Sequence, residues 1–294
     1  MTISFPSRPP FTVPLAHGGR LLLGDRCLVM GILNVTPDSF ADSSSTLDPE
    51  AAVAAGLRLQ EEGADLIDVG GESTRPGAEP ISVTEELARI LPVIHGLAGR
   101  LAIPISVDTY KADVARAAID AGAGMVNDIS GLRNDAAMPR LVAETGAALV
   151  LMHMRGTSKT MYAEAVYRDV VAEVIAELTE RIDDAVAAGV PVDRILVDPG
   201  IGFAKQPAHS YGVLARLPAF ANTIRRPLLV GPSRKSFLRA ALGARPAPER
   251  DWGTAAAVTA AVLGGAHIVR VHAVAEMAQV VRVADEIRRH AQGQ

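Results

Sequence analysis

Ala121-Gly122-Ala123-Gly124-Met125-Val126-Asn127-Asp128 reads as a helix end, a tight turn and a short apolar run that stops on an amide and a carboxylate. Glycine supplies the left-handed residue that closes a helix, and the small residue behind it lets the chain turn straight into a sheet. The same phrase stands at Glu62-Gly63-Ala64-Asp65-Leu66-Ile67-Asp68-Val69, at Thr145-Gly146-Ala147-Ala148-Leu149-Val150-Leu151-Met152 and at Gly265-Ala266-His267-Ile268-Val269-Arg270-Val271-His272. Helices that feed strands in one repeating order make a parallel sheet, because parallel neighbours need a crossover between them.

Four further apolar runs, beginning at Leu28, Ile105, Ile195 and Leu228, bring the strands to about eight, as a closed (β/α)8 TIM barrel requires. An open doubly wound sheet is the structural alternative, since βα repeats alone do not fix closure. Helix starts fall between the strands. Asp48-Pro49-Glu50 is an N-cap with proline in the first turn, Ser82-Val83-Thr84-Glu85 is a capping box, and the longest helix is predicted from about Glu164 to Ala188. The Pro-rich residues 1–14 read as a flexible arm, and Gly18 to Arg26 as a small hairpin that plugs one end of the barrel. With no linker-like shift in composition, residues 15–294 are predicted to be one barrel domain.

Composition narrows the function. A chain of 294 residues with 49% hydrophobic and 21% charged residues can cover a large core. Its net charge of −4, without a basic run, argues against nucleic acid as a partner. Cys27 is the single cysteine, which excludes an intrachain disulfide and fits a reducing cytoplasm. The opening residues lack the basic and apolar regions of a secretory signal, and no run is apolar and long enough to span a membrane.

In a βα barrel the active site gathers at the C-terminal ends of the strands, so those ends form a parts list. In order they offer Asn34; Glu72-Ser73-Thr74-Arg75; Asp108; Asn127-Asp128; His153; Asp198; Ser233-Arg234-Lys235-Ser236; and Arg270 with His272. Any one of these, alone, reads as a residue bonding its own loop, and His153, between two methionines, reads as structural. A polar group at nearly every strand end reads as a site. Carboxylates at Asp108 and Asp198, an amide at Asn127 and an ammonium at Lys235 match a flat heterocycle carrying an amino group beside a ring N–H and a carbonyl. Arg270, His272, Asn34 and the Thr74-Arg75 loop suit a diphosphate and a hard divalent cation.

These residues lie in longer motifs. Gly31-Ile32-Leu33-Asn34-Val35-Thr36-Pro37-Asp38-Ser39-Phe40, Asp68-Val69-Gly70-Gly71-Glu72-Ser73-Thr74-Arg75-Pro76-Gly77, Asp198-Pro199-Gly200-Ile201-Gly202-Phe203 and Gly231-Pro232-Ser233-Arg234-Lys235-Ser236-Phe237 carry the match. Ser106-Val107-Asp108-Thr109, Asn127-Asp128-Ile129-Ser130-Gly131 and Arg270-Val271-His272 complete it. From about residue 28 onward the chain resembles the dihydropteroate synthases, transferases of folate biosynthesis that join 4-aminobenzoate to a dihydropterin methyl diphosphate. The resemblance implies that Thr74, Asp108, Asn127, Asp198 and Lys235 bind the pterin and that Arg270 and His272 bind the diphosphate. It places Thr74, Arg75, Phe203 and Ser236 beside 4-aminobenzoate, gives Asn34 to Mg²⁺, and makes Asp108, Lys235, Arg270 and His272 catalytic. It also implies a cytoplasmic homodimer and a sulfonamide target.

A related pterin-binding methyltransferase domain and a non-catalytic pterin-binding barrel are the alternatives. The Ser-Arg-Lys-Ser turn and the Thr74-Arg75 loop favour the synthase, since methyl transfer leaves no diphosphate to hold. Two positions depart from the family. Ala41-Asp42-Ser43-Ser44-Ser45-Thr46 lacks the usual glycines, and Ala273 follows His272 where Asp is common, which leaves open what orients that histidine.

Overall fold

The computed structural model describes residues 5–36, 48–75 and 77–291. An antiparallel hairpin of β1 (Phe11–Pro14) and β2 (Arg20–Leu23) comes first. Then follow β3 (Leu28–Asn34), α1 (Pro49–Glu61), β4 (Leu66–Gly70), α2 (Val83–Leu97), β5 (Ile105–Asp108), α3 (Ala112–Asp120) and β6 (Met125–Asp128). The chain continues with α4 (Met138–Thr145), β7 (Ala148–Met152), α5 (Val170–Ala187), β8 (Ile195–Asp198), α6 (Pro207–Ala215) and α7 (Leu217–Ile224). It ends with β9 (Leu229–Val230), α8 (Arg239–Leu242), α9 (Asp251–Leu263), β10 (Ile268–Val271) and α10 (Val274–Ala291).

Strands β3 to β10 are parallel neighbours in the order β8-β7-β6-β5-β4-β3-β10-β9. A bridge between Val197 and Leu228 joins the two outer members and closes the ring, so the barrel holds over the open sheet. The glycine of each recurring phrase has the backbone the sequence demanded, with φ of 106° at Gly63, 120° at Gly122, 68° at Gly146 and 96° at Gly265. Asp48 caps α1 by accepting from the Glu50 and Ala51 amides, and Ser82 caps α2 by accepting from Glu85.

Strands buried on both faces sort their side chains by parity. One set points to the helices. The other fills the barrel, where Leu28, Met30, Leu66, Met125, Val150, Leu196, Leu229 and Ile268 pack with Val13, Leu15, Leu21 and Leu23 of the hairpin region. The hairpin is therefore the plug of the barrel's N-terminal end, which drives the site to the other mouth.

Two sequence expectations are corrected. The arm and hairpin boundaries shift, because Phe11–Pro14 pairs with Arg20–Leu23 and the chain before it is strapped down. Arg8 is buried against Asp285 at 2.8 Å, and His267 holds the Pro9 carbonyl at 3.0 Å. The long helix starts at Val170, where Asp169 accepts from the Val171 and Ala172 amides; Glu164 lies in the preceding loop. Among the described residues no helix is long and apolar enough to cross a membrane.

Candidate active site

The inward parity that fills the barrel with leucine and methionine below continues upward in polar residues. Register places Asn34 beside Gly70, Gly70 beside Asp108 and Asp108 beside Asn127, while Asp68 lies beside Ser106 one layer deeper. Gly70 gives this ring room. A Cβ there would sit 3.3 Å from that of Asp108.

Asp68 is the residue that sequence reasoning left without a role. Its carboxylate is fully buried, and one oxygen accepts both from Asn127 Nδ2 at 2.9 Å and from Arg270 Nε at 2.5 Å. Arg270 also donates through a second nitrogen to Asp108 at 2.6 Å. Thus one guanidinium lies between two carboxylates. Each carboxylate keeps a second oxygen, Asp68 Oδ1 and Asp108 Oδ1, that is buried without a hydrogen-bond partner. Burial pushes the Asp108 carboxyl up to about 7, with Arg270 opposing and the like charge of Asp68 adding to the rise. The signal for Asp68 was present in the sequence: it is a charge inside an apolar strand, on the same face as Leu66 and Gly70.

Across the mouth, Asp198 is buried and accepts from the Gly200 amide at 2.7 Å, which shapes the loop after β8. Burial raises its carboxyl above the usual range while Lys235 pulls against the rise. Lys235 donates to the Ile201 carbonyl at 2.6 Å and lies 4.3 Å from the centre of the Phe203 ring. Burial draws its ammonium down to about 8, against the attraction of Asp198. The structure therefore brings Asp108, Asn127, Asp198, Lys235 and Arg270 around one polar mouth.

His272 stands at the end of β10, and Ser233 orients it. The His272 amide donates to Ser233 Oγ at 3.1 Å, and the same hydroxyl lies 2.9 Å from His272 Nδ1, so Ser233 holds both the backbone and the ring of this residue. Burial, then the cations Arg270 and Arg234, lower its pKa to about 3. The ring is neutral here, and the charge on that side comes from Arg270. This answers the question raised by Ala273.

Arg234 is not part of the mouth. It has a left-handed backbone at φ 58°, and its side chain forks onto Asp251 of α9 at 2.8 and 2.7 Å. Asp128 likewise serves its own loop, accepting from Ser130 and Leu132, and His153 is a buried structural residue as its sequence context suggested.

Thr74 is half-buried and Arg75 exposed in the loop after β4, and Arg75 is close enough to help depress His272. That loop docks on the loop after β7. The Gly77 amide donates to the Ser158 carbonyl at 3.1 Å, Ser158 Oγ to the Ala78 carbonyl at 3.1 Å, and Lys159 pairs with Glu79 at 2.7 Å. The same β7 loop brings the Tyr162 hydroxyl to 3.0 Å from Ser236 Oγ. The glycine-free stretch 41–46 lies outside the described residues.

Among the described residues no three His, Cys, Asp or Glu side chains group to hold a metal. Asn34, half-buried at the end of β3, offers one hard amide oxygen. That fits a Mg²⁺ ion that takes most of its shell from phosphate oxygens and water, and does not fit a protein-caged metal.

The family model described as pterin binding enzyme matches residues 30–272. The dihydropteroate synthase of Synechocystis sp. is 45% identical over 280 residues, covering 95% of this chain and 96% of that protein. Dihydropteroate synthase of Xanthomonas albilineans, solved with 4-aminobenzoic acid, superposes with a TM-score of 0.87 at 46% identity, covering 94% of this chain and 99% of that one. The same enzyme solved with 7,8-dihydropteroate gives a TM-score of 0.81 at 44% identity, covering 90% and 94%. With a full-length sequence match, the same barrel and a ring of carboxylates, amide and ammonium at its mouth, this chain belongs to the pterin-binding enzyme family.

Proposed function

We propose that the chain is a dihydropteroate synthase, condensing (7,8-dihydropterin-6-yl)methyl diphosphate with 4-aminobenzoate to give 7,8-dihydropteroate and diphosphate. The observation that carries this reading is the gathering of Asp108, Asn127, Asp198 and Lys235 at one barrel mouth, in a chain that matches dihydropteroate synthases over most of its length. The Asp198 carboxylate accepts from a pterin's amino group and ring N–H together. Lys235 supplies the matching donor for the ring carbonyl.

The arylamine nitrogen attacks the methylene carbon as the carbon–oxygen bond to diphosphate breaks, and the new secondary amine then gives its proton to water. The methylene gains cationic character in this step, and buried carboxylates preorganised around the ring favour it. Arg270 and His272, at the end of the last strand, hold the departing diphosphate. Asn34 would hold a Mg²⁺ ion, which would supply charge neutralisation for the diphosphate as it leaves. Thr74, Arg75, Phe203 and Ser236 line the arylamine side, where a sulfonamide would compete. No side-chain nucleophile is required. Cys27 lies at the plugged end, fully buried, and burial pushes its thiol up to about 12. Release of diphosphate that requires both substrates tests the reading, and release without the arylamine would sink it.

Asn34→Ala is expected to raise the Mg²⁺ needed for half-maximal rate on the order of tenfold while leaving binding of a pterin without diphosphate nearly unchanged. Equal losses for both ligands would move Asn34 to the ring-binding group.

The working form is a cytoplasmic homodimer. Trp252, 88% exposed, heads α9, and Ala256 and Ala260 continue the same exposed face one and two turns on. A large aromatic followed by small residues at helical spacing suits self-association through that helix. Trp252→Arg is expected to sediment as a monomer, and an unchanged dimer would exclude this face.

A further inference from the structure

Lys205 is 1% exposed, the largest side chain among the described residues to be so fully enclosed, and the mechanism above makes no use of it. Its Nζ lies 2.9 Å from His153 Nδ1 and 3.2 Å from the Phe203 carbonyl, with no carboxylate bonded to it. His153 accepts at Nδ1, so its ring proton is on Nε2, which donates to Glu177 at 3.2 Å; Arg155 and Arg133 hold Glu177 from outside. A methionine would fill the same space without the burial cost of an amine. Packing alone therefore does not explain a lysine here.

The segment that Lys205 bonds turns left-handed in tight quarters. Gly200 has φ 69° and passes so close to the His153 carbonyl that a Cβ would come within 2.0 Å of it. Ala204 has φ 45°, a left-handed backbone that a non-glycine residue holds only when its surroundings impose it. Two contacts impose it: the Tyr167 hydroxyl donates to the Ala204 carbonyl at 2.8 Å, and Lys205 donates to the Phe203 carbonyl. Phe203, between these anchors, lays its ring over Lys235. Burial draws the Lys205 ammonium down to about 7, and either protonation state keeps the two N–H groups these contacts need.

We propose that Lys205 is a positioning residue for the arylamine substrate, fixing the Phe203 carbonyl against His153 and so setting the angle at which the Phe203 ring walls that side of the site. The inference rests on the placement of Phe203 beside the arylamine. The signal reaches the site through one peptide group, without contact between Lys205 and either substrate.

The test is a cycle of Lys205→Met, Phe203→Ala and the double variant, in the full-length chain. Each is followed by thermal melting and by KM for 4-aminobenzoate and for the pterin diphosphate. Lys205→Met is expected to raise the 4-aminobenzoate KM about tenfold and the pterin KM less than about twofold, and to add nothing in the Phe203→Ala background. Lys205→Gln, which keeps a donor at reduced reach, is expected to recover part of the loss, and it carries the cycle if Lys205→Met gives no cooperative melt. Equal rises in both KM values, or an undiminished Lys205 effect without the Phe203 ring, overturn the proposal. If Phe203→Ala alone leaves the 4-aminobenzoate KM unchanged, the placement of Phe203 fails and the inference falls with it.

Discussion

Lys235→Ala is expected to weaken pterin binding by about 2–5 kcal/mol, from some thirtyfold to several thousandfold, in a protein that still melts cooperatively. The fold is spared because Lys235 supports little of it: its own contacts are the Ile201 carbonyl and the face of Phe203. Binding is not spared, because the ligand carbonyl and Asp198 lose the same cation at once. Asp198→Asn is the complementary change. Its amide oxygen can still accept from the Gly200 amide, so the loop after β8 keeps its shape. The other terminal atom becomes a donor where the ligand presents donors, and attraction turns to repulsion. Calorimetric titration with a pterin measures both variants. Folded variants with near-normal affinity would remove Lys235 and Asp198 from the ring-binding set.

Asp68→Ala is expected to cost stability and binding together, about 3 kcal/mol or more in unfolding free energy and on the order of a hundredfold in kcat/KM. One oxygen of this carboxylate holds both Asn127 and Arg270, so its removal frees an amide to rotate and leaves a buried guanidinium with Asp108 alone. Asp68→Asn separates the two contributions. An amide oxygen in the same place can accept both bonds, so most of the stability should return while the charge does not. The loss of that charge also lets Asp108 ionise more readily, since Asp68 helps to raise it. Chemical unfolding and steady-state kinetics on the two variants suffice. An alanine variant that melts and turns over like the parent would reduce Asp68 to a bystander.

The wall of the barrel was legible because it depends on local rules. A left-handed glycine closing a helix, a capping aspartate and a two-residue strand period each need only neighbouring residues, and Gly63, Gly122, Asp48 and Asp108 stand where those rules put them. What was missed depends on distant partners. Asp68 meets Asn127 and Arg270 from 59 and 202 residues away, and no local pattern states that. Ser233 orients His272 across 39 residues, and Tyr162 reaches Ser236 across 74. The N-terminal arm misled in the opposite sense. Its prolines read locally as loose chain, yet Arg8 finds Asp285 near the other terminus. Glu164 and its neighbours have helical composition, and the capping aspartate five residues later sets the true start.

The ring of strands is unequal around its circumference. Among the described residues seven junctions are ladders, whereas β8 meets β9 through the single Val197–Leu228 bridge beside Pro227, which has no N–H to give. That seam has the least strand pairing of the eight, and Asp198 sits on one lip with Lys235 just past the other. A ligand that grips both residues is consequently a clasp across the weakest joint. Substrate binding is therefore expected to stabilise the cylinder along that same line, and slower exchange of the Val197 amide with ligand bound would show it.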